Sequence, residues 1–382
     1  MKLKKICKLF YVDIISDDRL CRYKRLFNFV ATKYSIRQEN KTVKKYYLFN
    51  KLILKRIDID GDRLWECNKK IIYKESLKKL FKKREPKGID KIYDDIYFFN
   101  SHSGEVYIFL KYILDFCIKK HNSKHPLLVT NQKYQQSIAK IFCPDVPCIL
   151  ADIYIPMHKT TVKFDNRLYT SVVPKWYFKK ADDLISSNNP GDYNYFNQLT
   201  DLYECDLNNV TPRKAIFSID AQKRMLDKIK KINLNLDNFV IIIPEAWTCN
   251  PIDNSFWIEL IKRYKKLGFD VFVNDTKNKI KTDYKYAFLD CEELLALSKL
   301  SKRIVALRCG IIEILSEASI KTDILYTGFR DRIFLNAMDV KFVMAGFSLN
   351  NFPHLDKSLI REINADNITV DDYEKIFKQL GV

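Results

Sequence analysis

The chain has 382 residues and a net charge of +19. Its shares of hydrophobic residues (47%) and aromatic residues (13%) are sufficient for two or three packed domains and exclude wholesale disorder. No apolar run reaches the length of about 18 residues that a membrane-spanning helix needs. The apolar stretch near the N-terminus is too short and too interrupted by charges for a signal peptide.

Residues 1–90 are predicted to form a basic N-terminal accessory segment. They contain 26 Lys and Arg against 11 Asp and Glu, whereas residues 91–382 contain 40 against 36. Such a segment is typical of proteins that bind a lipid surface, nucleic acid or an acidic substrate. The run KKYYLFNKLILKR (44–56) mixes aromatic and aliphatic residues with Lys and Arg, which suits a lipid headgroup layer. A solvated basic face is the alternative, and no DNA- or RNA-binding motif is present.

The segment is predicted to end in a helix at 74–88, and an α/β region follows over residues 91–235. Its predicted elements, in chain order, are a strand at 96–100, a helix at 105–120, a strand at 125–131, a helix at 134–142 and a strand at 148–155. Residues 174–218 are rich in turn signals and are predicted to be mostly loop. A helix at 219–232 comes next, with Ser218 or Asp220 as its cap.

A second α/β region covers residues 236–382. Its predicted elements are a strand at 239–244, a helix at 256–268, a strand at 269–273, a helix at 291–301, a strand at 303–307, a helix at 311–319, a strand at 323–327 and a closing helix at 370–381. Strands that alternate with helices of this length build a parallel sheet with covered faces. Ligands of such sheets bind at the carboxyl ends of the strands, where helix N-termini offer amides to phosphates. The region therefore predicts a site for an anionic, nucleotide-containing ligand.

The ten cysteines are scattered along the chain. None forms a Cys-x-x-Cys pair, and none lies at a spacing from His that suits zinc. Reduced thiols that serve as small buried hydrophobic residues in a cytosolic protein explain this pattern. We expect no metal in the site.

Three turns follow predicted strands and carry polar or small residues. The first is Ser101-His102-Ser103-Gly104, which leads into Glu105 and Val106. The second is Pro244-Glu245-Ala246-Trp247-Thr248, and the third is Arg308-Cys309-Gly310, with Glu313 one turn into the helix that follows.

In order and spacing, these turns resemble those of the heptosyltransferase-type glycosyltransferases (family 9) and related enzymes of bacterial surface-polysaccharide synthesis. The resemblance covers roughly residues 92–330. Gly104-Glu105-Val106 stands where the family has Gly-Asp-Val, and Pro244-Glu245-Ala246 where it has Pro-Gly-Ala. Arg308-Cys309-Gly310, with Glu313, replaces the family's Asp-Ser-Gly-x-x-His. The resemblance implies the GT-B arrangement, in which two Rossmann-like domains face each other across a cleft, here with the basic segment in front.

Within that resemblance, Glu105 is the predicted general base, because a carboxylate at the end of a strand can accept the proton of an acceptor hydroxyl. His102, which titrates near neutrality, is the competing base. Arg308 and the amides of Cys309 and Gly310 are expected to bind the diphosphate, and Glu313 the ribose hydroxyls. Structural roles stay open for each: a first-turn Glu favoured by the helix dipole, a salt-bridged Arg, and a loop His.

The remaining predicted site residues line the two sides of the cleft. The loop of Pro244, Glu245, Ala246, Trp247 and Thr248 is expected on the donor side, where Trp247 stacks on a base or sugar or else packs in the interior. Ser101, Ser103 and Gly104 are expected on the acceptor side. A nucleophilic role for Cys309 lacks a neighbouring His in the sequence.

The sequence thus predicts a glycosyltransferase that moves a sugar from a nucleotide-activated donor to a lipopolysaccharide, capsule or other surface-glycan acceptor. The resemblance implies a metal-independent, inverting reaction with no cofactor other than the nucleotide sugar. The basic segment predicts a cytoplasmic protein, peripheral at an anionic inner membrane face, and not a nucleic-acid partner. Two alternatives stay open: a non-catalytic scaffold of polysaccharide assembly with the same fold, and a basic nucleic-acid-binding protein.

Overall fold

The computed structural model describes the backbone of seven strands within residues 11–75, together with residues 89–151, 160–164, 166–173, 194–274, 280–329 and 339–382. The backbone groups into two compact units. The first comprises Met1–Asn100, His121–Asn131 and Ile149–Ser186, and the second Ser101–Lys120, Gln132–Cys148 and Ser187–Val382. Among the described helices, none has the length and apolar character needed to cross a bilayer. The domain boundaries expected near residues 90 and 235 stay predictions.

The first unit begins with an antiparallel sheet that the sequence did not predict. Its strands follow one another in chain order, each paired with the next. They are β1 (Tyr11–Ile15), β2 (Cys21–Leu26), β3 (Ala31–Gln38), β4 (Lys41–Leu48), β5 (Lys51–Ile59), β6 (Asp62–Cys67) and β7 (Lys70–Glu75). The run 44–56 spans the β4–β5 hairpin. Of the helix predicted at 74–88, the first two residues belong to β7 and the rest lie outside the described residues.

A second sheet of the first unit is mainly parallel. Its strands are β8 (Asp95–Phe99), β9 (Pro126–Thr130), β10 (Cys148–Leu150), β11 (Thr161–Phe164) and β12 (Arg167–Ser171), in the spatial order β10-β9-β8-β12-β11. Strand β8 pairs in parallel with β9 and β12, and β11 pairs antiparallel with β12. Residues Ile96, Phe98, Leu127, Val129 and Tyr169 form its buried cluster. The strands predicted at 96–100 and 125–131 are confirmed, and the strand predicted at 148–155 is confirmed over 148–150, with 152–155 outside the described residues. The antiparallel β11–β12 pair was not foreseen.

The helices lie where the apolar periodicity predicts them, with two additions. They are α1 (Ser103–Ile108), a π-helical turn (Phe109–Ile113), α2 (Leu114–His121), α3 (Lys133–Phe142), α4 (Tyr195–Leu202), α5 (Ile219–Lys231), α6 (Asn254–Lys266), α7 (Cys291–Ser298), α8 (Gly310–Leu315), α9 (Val340–Gly346) and α10 (Tyr373–Leu380). Short 3-10 turns occupy Leu207–Asn209, Ser316–Ala318, Leu349–Asn351, Lys357–Leu359 and Val370–Asp372. Helix α4, inside the stretch predicted as loop, and helix α9 are the additions.

Local capping explains where several of these helices begin. The Ser218 hydroxyl accepts the Ala221 amide at the start of α5, so Ser218 rather than Asp220 is the cap. Helix α7 begins with a capping box in which Asp290 and Glu293 each accept the other's backbone amide. Asn194 caps the unpredicted α4 through the Asn197 amide.

The second unit is built on a fully parallel sheet. Its strands are β13 (Phe239–Ile243), β14 (Asp270–Val273), β15 (Arg303–Leu307), β16 (Thr322–Tyr326) and β17 (Ile360–Asn364), in the order β14-β13-β15-β16-β17. The central strands β13 and β16 are buried at every position, which is why they read as continuous apolar runs. The predicted α/β class with two Rossmann-like sheets is therefore confirmed. Strand β17 extends the sheet beyond the predicted set.

A buried ion triad joins three strands of this sheet near their amino ends. Asp323 on β16 is fully buried and accepts the Nε–H groups of Arg303 on β15 and Arg361 on β17, the latter at 2.6 Å. Because each Arg would lose its counter-ion in a low-dielectric setting, the carboxylate is hard to replace.

We expect Asp323→Ala to lower the free energy of unfolding by about 3–5 kcal/mol, since it leaves two guanidinium groups without their charge partner. Urea denaturation measures the change. The control is Asp283→Ala, which removes an exposed ion pair with Lys265 and should cost less than about 1 kcal/mol. Similar losses for the two variants would contradict a stabilising role for the triad.

Candidate functional site

The first predicted turn leaves β8 and opens α1 with a firmly held backbone. The Ser101 carbonyl accepts the Tyr134 hydroxyl at 3.1 Å and the Gln135 side-chain amide at 2.7 Å, both from α3. His102 is the N-cap, in an extended conformation, and the helix begins at Ser103. The ring of His102 is partly exposed, yet desolvation by the surrounding protein lowers its pKa. The turn is thus a rigid support for the residues at the start of α1.

Glu105, in the first turn of α1, is buried with 8% of its surface exposed. Burial raises its pKa to about 7, although the backbone amides of Glu105 and His102 and the charge of Arg308 act in the opposite direction. A carboxyl group that titrates near neutrality can both hold and accept a proton at physiological pH. Glu105 therefore has the environment expected of an acid–base residue.

The third turn lies directly against the first. Helix α8 begins at Gly310, after the extended N-cap Cys309. A Cβ atom on Gly310 would fall 2.9 Å from the Gly104 amide nitrogen and would overlap the Ser103 hydroxyl. A Cβ on Gly104 would fall 2.6 Å from the Tyr195 hydroxyl and would overlap the Glu313 carboxylate. Two glycines thus allow the N-termini of α1 and α8 to touch, as the predicted site requires.

Every guanidinium nitrogen of Arg308 donates a hydrogen bond within the protein. Only 4% of the residue is exposed, and its guanidinium group donates to Glu313, to the Phe347 carbonyl at 2.9 Å and to the Cys309 carbonyl at 2.9 Å. In this state Arg308 and Glu313, predicted to bind diphosphate and ribose, bind each other. Burial also raises the pKa of the Cys309 thiol to about 11, which keeps it protonated at neutral pH and unsuited to nucleophilic attack.

Glu313 has one carboxylate oxygen in the ion pair and one without a hydrogen-bond partner in the described part of the chain. The unpaired oxygen, Oε2, is the atom that approaches Gly104. Burial raises the pKa of Glu313 to about 7 against the charge and hydrogen bond of Arg308, and the nearby Glu105 adds to the rise. Two buried carboxyl groups therefore share one guanidinium group.

The second predicted turn reaches the same edge of the parallel sheet. Pro244 is buried, Glu245, Ala246 and Thr248 are half-buried, and Trp247 is 72% exposed. The loop ends at Cys249, whose thiol donates to the Arg308 carbonyl at 3.0 Å. Trp247 is therefore not a core residue, and its exposed ring is free to meet a planar ligand.

Two groups of residues at the site were missed by the sequence reasoning. Tyr195 on α4 packs its ring 5.2 Å from that of Phe347, whose carbonyl receives Arg308. The Asn194 cap and the apolar spacing of YFNQLTDL are the signals that could have revealed this helix. Nothing in the sequence marks the Phe347 carbonyl as a partner of Arg308.

The second missed group is a buried polar network one turn beyond the site on both helices. Lys111, in the π-helical turn, forms an ion pair with Glu317 at 2.9 Å. Glu317 also accepts the Tyr107 hydroxyl at 2.6 Å and contacts His354 Nε2 at 2.9 Å. Because these partners lie far apart in the sequence, the network fixes α1 against the turn that follows α8. The described residues contain no group of three or more His, Cys, Asp and Glu that could hold a metal ion.

The sequence matches no protein-family model and no curated protein. Its structure is similar to that of a family 9 glycosyl transferase from Veillonella parvula (9% identity, covering 75% of this chain and 91% of that one, TM-score 0.45). It is also similar to that of the E. coli ADP-heptose lps heptosyltransferase II (10% identity, covering 75% of this chain and 97% of that one, TM-score 0.45). A third similar structure is that of TibC, a bacterial iron-containing dodecameric glycosyltransferase from enterotoxigenic E. coli (11% identity, covering 77% of this chain and 75% of that one, TM-score 0.41).

We expect Gly310→Ala to destabilise the protein by about 1–3 kcal/mol, the cost of forcing an extra methyl group into a packed contact. Urea denaturation measures it. Gly268→Ala is an instructive control, because Gly268 has a positive φ but open space around it, so its cost is backbone strain alone. If a crystal structure of the Gly310→Ala variant kept α1 and α8 in place without loss of stability, the close contact would be refuted.

The raised pKa of Glu105 predicts a pH dependence of stability. Its folded pKa, about 7, exceeds the ordinary value of 4.5, so its contribution is fully present below pH 4.5 and is lost as the pH rises through 7. The full shift corresponds to about 3 kcal/mol. We expect the stability of Glu105→Gln to fall less than that of the wild type between pH 4.5 and 8. Parallel curves for the two proteins in urea denaturation would contradict the assignment.

Proposed function

We propose that this chain is a glycosyltransferase that moves a sugar from a nucleotide-activated donor to a hydroxyl group of an acceptor. The observation that carries the proposal is Glu105: a buried carboxyl group with a pKa of about 7, at the strand-to-helix turn where the N-termini of α1 and α8 meet. Sugar transfer needs such a base to take the acceptor's proton as the new bond forms. The order of the three turns in the sequence supports the same reaction.

The leaving nucleoside diphosphate needs positive charge. Arg308 supplies it in the proposal, together with the amides at the start of α8. Arg308 is paired with Glu313 in this state. Because the pKa of Glu313 is about 7, uptake of one proton neutralises its carboxylate and releases the guanidinium group for phosphate. Donor binding near neutral pH is then accompanied by proton uptake at Glu313.

The loop after β13 completes the donor side of the proposal. The exposed ring of Trp247 is suited to stack on the nucleobase or the sugar, and Ser101, Ser103 and Gly104 border the base on the acceptor side. An acceptor from lipopolysaccharide, capsule or another surface glycan, an inverting metal-independent reaction, and a cytoplasmic site of action at the inner membrane face are the finer parts of the proposal. The acceptor class and the inverting, metal-independent reaction rest on the resemblance of the turns, and the membrane site rests on the basic segment of residues 1–90.

A specific observation favours a second candidate, a non-catalytic scaffold with the same fold. All of the Arg308 guanidinium nitrogens have protein partners, and Ser103 and Gly104 cover the start of α8. In a chain that no longer binds a nucleotide sugar, these contacts would satisfy the hydrogen-bonding groups that the sugar nucleotide would otherwise bind. The scaffold binds no nucleotide sugar, so donor binding separates the two candidates.

We expect one class of nucleotide sugar to raise the melting temperature of the full chain. A donor at 100 times its Kd adds about 2.7 kcal/mol to the free energy of unfolding. The panel should be run with and without added divalent cation, at pH 6 and pH 8, with tighter binding at pH 6 if Glu313 takes up a proton. The absence of any shift in a folded sample would favour the scaffold.

With the donor identified, Glu105→Gln should lower turnover by about 10²–10⁴ while donor affinity stays unchanged, because a general base acts in the transition state. Glu259→Gln, which removes an exposed carboxylate on α6, is the matched control. His102→Gln, compared with His125→Gln, tests the competing base. Full turnover in Glu105→Gln together with a loss in His102→Gln would transfer the role to His102.

A further inference from the structure

The ion triad of Asp323, Arg303 and Arg361 lies on one face of the parallel sheet of the second unit. Asp323 on β16 and Arg361 on β17 are directly paired. Asp323 also pairs with Val305 on β15, and Arg303 precedes Val305 by two residues, so its side chain leaves the strand on the same face. Because β17 is the last strand in the spatial order, the triad reaches the edge of the sheet.

The Asp323 triad has an excess of positive charge. Two guanidinium groups share one carboxylate, and each reaches it through its Nε–H group. Among the described residues, neither Arg303 nor Arg361 forms an ion pair with any other acidic side chain. Since the side chain of Asp323 is fully buried and that of Arg303 is only 13% exposed, much of this charge lies away from water. A buried charge without a counter-ion is unfavourable, so the triad favours the binding of an anion.

Three hydrogen-bond donors around the triad have no acceptor in the part of the chain that the structure describes. They are the Nη2 atoms of Arg303 and Arg361 and the hydroxyl group of Tyr264 on α6, and all three are buried. By contrast, Nη1 of Arg361 donates to the Gln379 carbonyl on α10. Most buried polar groups of native proteins have a partner, so three such donors at one cluster indicate that an acceptor belongs there.

The Tyr264 hydroxyl lies within the electrostatic reach of the whole triad. Burial raises the pKa of Tyr264 to about 12, and the charges of Arg303, Asp323 and Arg361 all act on it. The hydroxyl group therefore stays protonated at neutral pH and is able to donate a hydrogen bond to an anion.

We propose that the Asp323 triad and Tyr264 form a binding site for a phosphate group. The excess positive charge suits an anion, and planar guanidinium groups match the geometry of phosphate oxygens. A phosphate group has several oxygens, so it can accept hydrogen bonds from both Nη2 atoms and from the hydroxyl group together. The side chain of Arg361 is 38% exposed on the edge strand β17, and an ion can reach the cluster from solvent beside it.

This site is separate from the candidate site of sugar transfer. Arg303 begins β15, whereas Arg308 follows the carboxyl end of the same strand. The phosphate site is therefore independent of the proposed function and holds for the scaffold as well. Because Arg361 also binds the Gln379 carbonyl, a phosphate group bound here would hold β17 and α10 to the centre of the sheet.

Titration of the full chain with inorganic phosphate at constant ionic strength tests the proposal, with calorimetry and thermal unfolding as the readouts. We expect saturable binding and a melting temperature that rises with it. Arg361→Gln leaves Arg303 and Asp323 as a neutral pair, so it should abolish the saturable binding and keep only the general stabilising effect of phosphate as a solute. Absence of saturable binding in the wild type, or equal affinity in Arg361→Gln, would overturn the site.

Tyr264→Phe is the milder variant, since it keeps the ion triad and removes one donor. It should weaken phosphate binding by about tenfold or more, the effect of losing a hydrogen bond to a charged group. Without phosphate its melting temperature should equal or exceed that of the wild type, because a buried hydroxyl group without an acceptor is removed. A lower melting temperature together with unchanged phosphate affinity would show that the hydroxyl group serves the protein alone, and would contradict the proposal.

Arg224→Gln is the matched control, because it removes the same charge from an exposed ion pair between α5 and α7. It should bind phosphate as the wild type does, and an equal loss would replace the site by an effect of overall charge. Phosphate bound near Arg308 would survive Arg361→Gln, so the two places are distinguished. Glycerol 3-phosphate, titrated in parallel, shows whether the site prefers a phosphate ester or the free ion, and either ranking supports it.

Discussion

The arrangement on which the candidate site depends is the contact between the N-termini of α1 and α8. Gly104 and Gly310 leave no room for a side chain there, so three ionisable groups, Glu105, Arg308 and Glu313, are brought together out of water. One guanidinium group cannot neutralise two carboxylates in such a setting. Burial raises the pKa of both carboxyl groups to about 7, and the charge of Glu105 adds to the rise at Glu313.

The rest of the second unit keeps this cluster in position from two directions. The loops after β13 and β15 meet where the Cys249 thiol donates to the Arg308 carbonyl. Glu317, in the turn after α8, binds Tyr107 of α1 and Lys111 of the π-helical turn that follows it. The Asp323 triad stabilises the same sheet near the opposite ends of its strands. The triad and the candidate site therefore use different ionic groups of the same unit, so the triad can be altered without changing a residue of the site.

The sequence predicted the elements of the second unit well because its strands are buried on both faces and its helices are amphipathic, so their periods are distinct. It missed the seven-stranded N-terminal sheet, where Lys and Arg interrupt the alternation that marks a strand. For the site, the turns around Glu105 and Arg308 were found from their places after strands. The pairing between the two turns was not found from the sequence. Burial arises only from tertiary packing, as do contacts such as that between Arg308 and the Phe347 carbonyl.

The ion pair gives the third turn its own internal logic. Arg308 follows β15 and Glu313 lies in the first turn of α8, so the pair joins the end of a buried strand to the start of the next helix. In a buried pair, removing one partner alone leaves an uncompensated charge, so neither residue can be changed without consequence for the other. The same pairing places the positive charge of Arg308 where it acts on Glu105, whose pKa it lowers against the effect of burial.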